Sequence, residues 1–269
     1  MDIKDRVAVI TGAGAGIGRA LAQRFAHHGA RAVICTDRDG GAAAETAASI
    51  GPQAFADVLD VGDETAIEQL VAAVEREFGG IDVFVSNAGY GQSAGLETPT
   101  SEWRRMMNVH TWAHLAAARA VIPGMISRGG GYLLNTSSAA GLLSLFESGG
   151  AYAVSKHASV ALAEWLAINY ADQGIGVSVL CPQAVRTNAL KDMNDPSHQA
   201  DRGQVVGDGV LEPEFVAEMC IEAMRERRFM ILPHAEVGVY FQRKAQDYER
   251  WISGMRRMRD RLRGSATAR

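Results

Sequence analysis

Val7-Ala8-Val9-Ile10-Thr11-Gly12-Ala13-Gly14-Ala15-Gly16-Ile17-Gly18 changes character twice in a short span. Val7 to Thr11 is apolar and strand-length, the pattern of a strand buried on both faces. The glycines that follow let the backbone turn sharply and come close to a ligand. Residues 17–28 then carry helical periodicity and stop at Gly29. A helix that starts directly after such a turn points its free amides and the positive end of its dipole into the turn, which makes a site for a pyrophosphate. The spacing is G-x-x-x-G-x-G, on Gly12, Gly16 and Gly18. It is not G-x-G-x-x-G, because Ile17 and Arg19 stand where the third glycine of that pattern falls.

Downstream, the alternation continues. Strand-like runs at 32–36, 54–58, 81–86, 131–137, 177–181 and 229–232 alternate with helical runs at 41–50, 64–78, 101–128, 152–173 and 214–227. Short apolar strands separated by amphipathic helices predict βαβ units and a parallel sheet covered on both faces. The class is therefore α/β: one doubly wound domain at 1–235 with about seven parallel strands. The polar segment 188–211, rich in Gly and Asp, reads as a lid loop. Residues 236–269 read as a C-terminal amphipathic helix packing on the same domain or a neighbouring subunit. Its apolar face is Phe241, Ala245, Tyr248, Ile252, Met255 and Leu262, and its other face is basic.

The totals exclude several classes. A net charge of −4 argues against bulk nucleic-acid binding. The three cysteines, Cys35, Cys181 and Cys220, are far apart and form no Cys/His cluster. They predict no metal site and reduced thiols in a cytoplasmic protein. The first apolar run is too short for a membrane span. Neither a nucleic-acid nor a membrane partner is expected, and the apolar stripe near the C-terminus reads as an oligomer or domain contact.

The second strand ends at Asp37, where a carboxylate accepts hydrogen bonds from the adenosine ribose hydroxyls. It also repels a 2′-phosphate, so NAD is the expected cofactor rather than NADP. Two pairs, Tyr152 with Lys156 and Tyr240 with Lys244, place a phenol and an amine four residues apart on one helix face. An ammonium beside a phenol favours the phenolate and lowers its pKa from about 10. Each pair is thus a candidate acid–base site, and spacing alone does not separate them.

From residues 5 to 233 the chain resembles the classical short-chain dehydrogenase/reductase family, with a Rossmann-type fold. Several motifs carry the resemblance in order. Thr11-Gly12-x-x-x-Gly16-Ile17-Gly18 resembles the cofactor loop, and Asp60-Val61 the segment against adenine. Ser86-Asn87-Ala88-Gly89 resembles the family's N-N-A-G with its first Asn replaced. Asn108 resembles the structural and catalytic Asn. The strand Asn135-Thr136-Ser137-Ser138-Ala139-Ala140-Gly141 precedes Tyr152-x-x-x-Lys156. Chain order then selects Tyr152 and Lys156. Tyr240 is read as packing and Lys244 as a solvated charge.

The resemblance implies an oxidoreductase that moves hydride between an alcohol or ketone and NAD. Tyr152 is the general acid/base, and Lys156 lowers its pKa and holds the nicotinamide ribose. Ser138, rather than Ser137, orients the substrate oxygen, and Asn108 fixes a water leading to Lys156. Cofactor contacts are implied for Gly12, Gly16, Ile17, Gly18, Asp37, Asp60, Val61, Asn87, Ala88, Gly89, Tyr152, Lys156, Pro182, Val185 and Thr187. Leu142, Leu145, Gln183 and Leu190 are candidate substrate-lining residues, with Tyr90, Gln92 and Met193 beside them, and they favour an apolar, cyclic or aromatic secondary alcohol. The chain departs from the family at Gln183, where Pro-Gly is usual. It also departs in the interval from Ser138 to Tyr152, which is one residue longer than is commonest. The family is commonly dimeric or tetrameric, so a homodimer or homotetramer is expected. The alternative is a non-catalytic dinucleotide-binding sensor or scaffold, against which stands the intact set Asn108, Ser138, Tyr152 and Lys156.

Overall fold

The structure, a computed structural model, describes residues 1–91, 95–144, 146, 149–188 and 206–267, with side chains up to residue 263. The strands are β1 (Val7–Thr11), β2 (Ala32–Asp37), β3 (Ala54–Val58), β4 (Val83–Ser86), β5 (Gly131–Thr136), β6 (Ile175–Leu180) and β7 (Met230–Ile231). They pair in parallel in the order β3-β2-β1-β4-β5-β6-β7. The direction of winding reverses between β1 and β4. In a sheet of this kind the loops leaving the two strands diverge there and leave a crevice at their carboxyl ends.

Successive side chains of β1 serve opposite faces, as the two-residue period of a strand requires. Val7 and Val9 join one core with Ile67 and Val71 of α3 (Glu64–Phe78), Val121 and Met125 of α5 (Ala113–Ser127), and Val160 and Leu166 of α6 (Gly150–Tyr170). Ala8 and Ile10 join the other with Leu21 and Phe25 of α1 (Gly16–His27) and Val216, Ile221 and Met224 of α7 (Pro213–Glu226). Burial on both faces explains why the strands read as unbroken apolar runs. Local chemistry sets the helix ends. Asp39 caps α2 (Gly40–Ile50) through Ala42 N–H, Asp63 caps α3 through Thr65 and Ala66, and Gly79 ends α3 in the left-handed region.

The helix expected over 101–128 is divided. α4 (Thr100–Met107) passes into a π-helical turn, Asn108–Trp112, before α5, which then runs through Pro123. The helix expected from 237 onward is two, α8 (Ala235–Gln246) and α9 (Tyr248–Thr267), separated at Asp247. Its predicted apolar face is also not the buried one. Phe241, Tyr248 and Ile252 are exposed, while Val237, Tyr240 and Trp251 pack against the main core. Lys244 is not a solvated charge: it is buried, and its Nζ donates to Leu142 O at 2.6 Å and lies 3.4 Å from His157 Nε2. A stripe drawn from hydropathy alone misplaces this face because Lys244 supplies the donor that the Leu142 carbonyl requires. Among the described residues no helix is long and apolar enough to cross a membrane.

Candidate active site

The Gly-rich turn closes over the carboxyl end of β1. Gly16 opens α1 at φ +53°, and a Cβ there would stand 2.8 Å from Thr187 Cγ2, so the turn and the segment after β6 approach with no room for a side chain. Ala15, at the N-cap, offers no side-chain bond to the first-turn amides of α1. Those amides remain directed into the crevice. Asp37 sits at the tip of β2 beside the turn, with Oδ2 accepting from Gly14 N–H at 3.0 Å and Oδ1 from Asp39 N–H at 3.1 Å. Ile17 and Gly18 lie in the first turn of α1, with Ile17 packed on the core beneath.

Asn87, Ala88 and Gly89 leave β4 across from this turn. Both Asn87 N–H and Ala88 N–H donate to Thr11 Oγ1, at 2.9 and 3.0 Å. The Asn87 side chain donates to Thr11 O and accepts from Thr136 Oγ1, so it joins the ends of β1, β4 and β5. Asp60 and Val61 follow β3. Asp60 Oδ1 accepts from Gly62 N–H, and Val61 packs against the main core.

Ser138 leaves β5, and Tyr152 and Lys156 lie in the first turns of α6. The Ser138 hydroxyl lies beside the Tyr152 phenol, accepts from Ala140 N–H at 3.1 Å and donates to Pro182 O at 3.5 Å. Ser137 points the other way. Its hydroxyl donates to Lys156 O at 2.9 Å and accepts from Ser159 Oγ at 2.8 Å, an internal tie between β5 and α6. Lys156 Nζ donates to Thr136 O at 3.1 Å and lies 5.7 Å from the centre of the Tyr152 ring. Asn108 opens the π-turn, and its Nδ2 donates to Gly62 O at 2.9 Å.

The electrostatics differ from the expectation. Burial raises the Tyr152 pKa above its ordinary value, and the neighbouring Ser138 hydroxyl offsets this only in part. Burial also pushes Lys156 down to about 8. Lys156 is therefore not the dominant influence on the phenol. Desolvation outweighs the neighbouring amine because both groups are shielded from water. At neutral pH the phenol is an acid and the amine is mostly protonated.

Past β6, Pro182 and Val185 are buried and Thr187 faces Gly16. Val185 pairs with Leu211, so the two ends of the expected lid segment meet. Gln183 N–H donates to His234 Nδ1 at 3.3 Å, and its Oε1 is buried with no donor among the described residues. The Gln183 amide thus points inward rather than to solvent. Leu142 is buried in the main core beside Leu143. Leu145, Leu190, Gln92 and Met193 lie outside the described residues, as does most of the expected lid.

Of the residues that pack around Tyr152, sequence reasoning named Tyr90 but missed the others. Trp103 and Met106 of α4 and Tyr90 form a small apolar cluster with Tyr152 and Ala151. His110, in the π-turn, stacks edge-on to Tyr152 with ring centres 5.5 Å apart. Helical spacing around Met106 and His110 was the available signal, but a π-turn shifts which residues face inward. Among the described residues no three His, Cys, Asp or Glu side chains gather as a metal site would require.

Known proteins resemble this chain in sequence and in fold. A profile of the short chain dehydrogenases matches residues 6–198. The chain is 35% identical over 263 residues to the 1-deoxy-11-beta-hydroxypentalenate dehydrogenase of Streptomyces exfoliatus, covering 94% of this chain and 92% of that one. It is 38% identical over 192 residues to the galactitol 2-dehydrogenase of Agrobacterium fabrum, covering 69% and 72%. A short chain dehydrogenase/reductase from Burkholderia phymatum, solved in complex with NAD, superposes with a TM-score of 0.83 at 31% identity, covering 93% of this chain and 96% of that one. With the parallel sheet, the Gly-rich turn and the Ser138–Tyr152–Lys156 cluster in one crevice, the match in sequence and in structure places this oxidoreductase in the short-chain dehydrogenase/reductase family.

Proposed function

We propose that the protein is an NAD(H)-dependent oxidoreductase that interconverts a secondary alcohol and a ketone, with Tyr152 as general acid/base. The observation that carries this reading is the convergence of the Ser138 hydroxyl, the Tyr152 phenol and the Lys156 ammonium at the carboxyl end of β5. The residues of the crevice fit a dinucleotide. The uncapped first turn of α1 and the glycine cradle suit the pyrophosphate. Asp37 suits unphosphorylated ribose hydroxyls, the buried Gln183 Oε1 suits a ligand donor, and Asp60, Val61, Asn87, Ala88, Gly89, Pro182, Val185 and Thr187 line the path between these points. When bound, the nicotinamide supplies the hydride donor or acceptor.

The chain's own residues handle the proton and the geometry. The Ser138 hydroxyl stands beside the Tyr152 phenol and so can hold a substrate oxygen against it. In the ketone-reducing direction Tyr152 gives its proton to the oxygen as negative charge develops there. The Lys156 ammonium stabilises the phenolate that remains. Asn108 holds the turn before α5 to the segment after β3 through its Nδ2 donation to Gly62 O. In the oxidising direction the same proton returns to Tyr152.

The two curated relatives differ in substrate polarity, so the preference has to come from this chain. Tyr90, Trp103 and Met106 beside Tyr152 form an apolar wall with few polar partners. They favour an apolar, cyclic or aromatic secondary alcohol over a sugar alcohol. We also assign a cytoplasmic location and self-association, the latter from the exposed Val154, Trp165 and Ile168 on one face of α6.

The test is initial-rate measurement with NAD and NADP on cyclic, aromatic, steroid and polyol alcohols, alongside Tyr152→Phe. The expected result is NAD-linked turnover of apolar alcohols that Tyr152→Phe abolishes while NADH still binds. Full activity in Tyr152→Phe, or turnover confined to polyols, overturns the corresponding part of the proposal.

A further inference from the structure

His110 is buried, polar and unassigned by the mechanism above. It lies in the π-turn between α4 and α5, packed between two elements of the site. On one side Tyr90 N–H donates to His110 Nε2 at 3.2 Å. On the other, His110 Nδ1 lies 2.9 Å from Ser155 Oγ, and the Ser155 hydroxyl donates to Tyr152 O at 2.9 Å. These bonds fix every proton. Nε2 accepts, so it carries no hydrogen, and the single Ser155 hydrogen is committed to Tyr152 O. The Nδ1 nitrogen must therefore be the donor, and the imidazole is neutral. The neighbouring Thr111 adds a second tie, from its Oγ1 to Ser155 O at 2.9 Å.

We infer that His110 is a positioning residue: as a neutral imidazole protonated on Nδ1, it joins the loop after β4 to the first turn of α6 and so sets where the Tyr152 phenol stands. The inference rests on the reading of Tyr152 as the acid/base. A chain of donors runs in one direction from Tyr90 N–H through His110 and Ser155 to the carbonyl of Tyr152. The His110 ring also braces the Tyr152 ring at 5.5 Å and the Tyr90 ring at 5.4 Å. The clamp tolerates no second proton, because a hydrogen on Nε2 would face the Tyr90 N–H. The groups around it agree. Lys156 and Tyr152 face it from α6, Tyr90 from the loop, with Arg105 over the Tyr90 ring, and His114 from the start of α5. Burial and then the Lys156 charge hold His110 well below its ordinary pKa of 6.5.

Two measurements test the inference, one of which needs no turnover. In ¹⁵N-histidine-labelled protein, the His110 resonance, identified by its loss in His110→Phe, should show the Nδ1–H tautomer unchanged from about pH 5.5 to 8. Titration near the ordinary value, or an Nε2–H tautomer, overturns the inference whatever the reaction proves to be. In kinetics, His110→Phe fills the space but makes neither bond, and kcat should fall roughly 10- to 100-fold, the scale of a misplaced reacting group, with KM for NAD changed less than about threefold. His110→Asn, whose amide restores a donor toward Ser155, should recover about tenfold of that loss. Ser155→Ala should lower kcat similarly, and its effect combined with His110→Phe should be less than additive. Unchanged kcat in a folded His110→Phe protein, or strictly additive losses, also overturns it. If Tyr152→Phe retains activity while His110 keeps its tautomer, the assignment of Tyr152 is what has failed.

Discussion

Lys156 is held where its charge is costly. Its folded pKa is about 8 against 10.5 for the free amine, because α6 and β5 shield it from water. A base whose pKa is lowered on folding destabilises the fold at every pH below the folded value. That penalty shrinks as pH rises from about 8 and is gone above 10.5. At roughly 1.4 kcal/mol per unit this amounts to about 3 kcal/mol near neutral pH. Lys156→Met should therefore abolish turnover yet raise the melting temperature at pH 7, with the gain shrinking between pH 8 and 10.5; thermal unfolding across that range checks it. Asp37 makes a second residue-scale prediction. Asp37→Ala removes the carboxylate from the tip of β2 and takes the partner from Gly14 N–H. The ratio of kcat/KM for NAD over NADP should drop about tenfold or more, in keeping with loss of one charged hydrogen-bonding group. An unchanged ratio would remove Asp37 as the determinant.

At the scale of elements, the C-terminal helices take part in the site. His234 is the N-cap of α8, and its ring accepts from Gln183 N–H. Its Tyr240 hydroxyl donates to Asp208 at 2.9 Å, and its Lys244 donates to Leu142 O. One helix thus holds the segment after β6, the end of the 188–211 segment and the loop after Ser138. Lys244→Met leaves the Leu142 carbonyl without its donor, a loss of about 1.5–3 kcal/mol for a hydrogen bond to a charged group. It should lower stability by that amount in urea denaturation. It should also raise KM for the alcohol more than KM for NAD if, as expected for Leu142, the loop it frees lines the substrate. Equal stability with unaltered kinetics would count against this role. The pairing of Tyr240 with Lys244 was legible as a spacing, but its use was not. Four-residue spacing puts two side chains on one face and leaves open whether that face meets water or a carbonyl.

For the whole molecule, Val154, Trp165 and Ile168 form an exposed apolar stripe on α6, the helix that carries Tyr152 and Lys156, and Ile168 is 72% exposed. Ile168→Asp with Trp165→Ser should convert the expected dimer or tetramer to smaller species in sedimentation velocity, since a charge in an apolar interface is left unpaired. Unchanged sedimentation would place the contact elsewhere. The βαβ order, the glycine turn, Asp37 and the positions of Ser138, Tyr152 and Lys156 could all be read in advance. They depend on local chemistry: strand period, helix caps, glycine conformations and fixed spacings along the chain. The tertiary structure alone decided the rest. It set burial above the Lys156 charge in the field around Tyr152, placed His110 between the loop after β4 and α6 through a π-turn, and buried Lys244 against Leu142. Each of these depends on which distant segments come together and exclude water, and desolvation and hydrogen-bond partnership of that kind are not written in any local stretch of sequence.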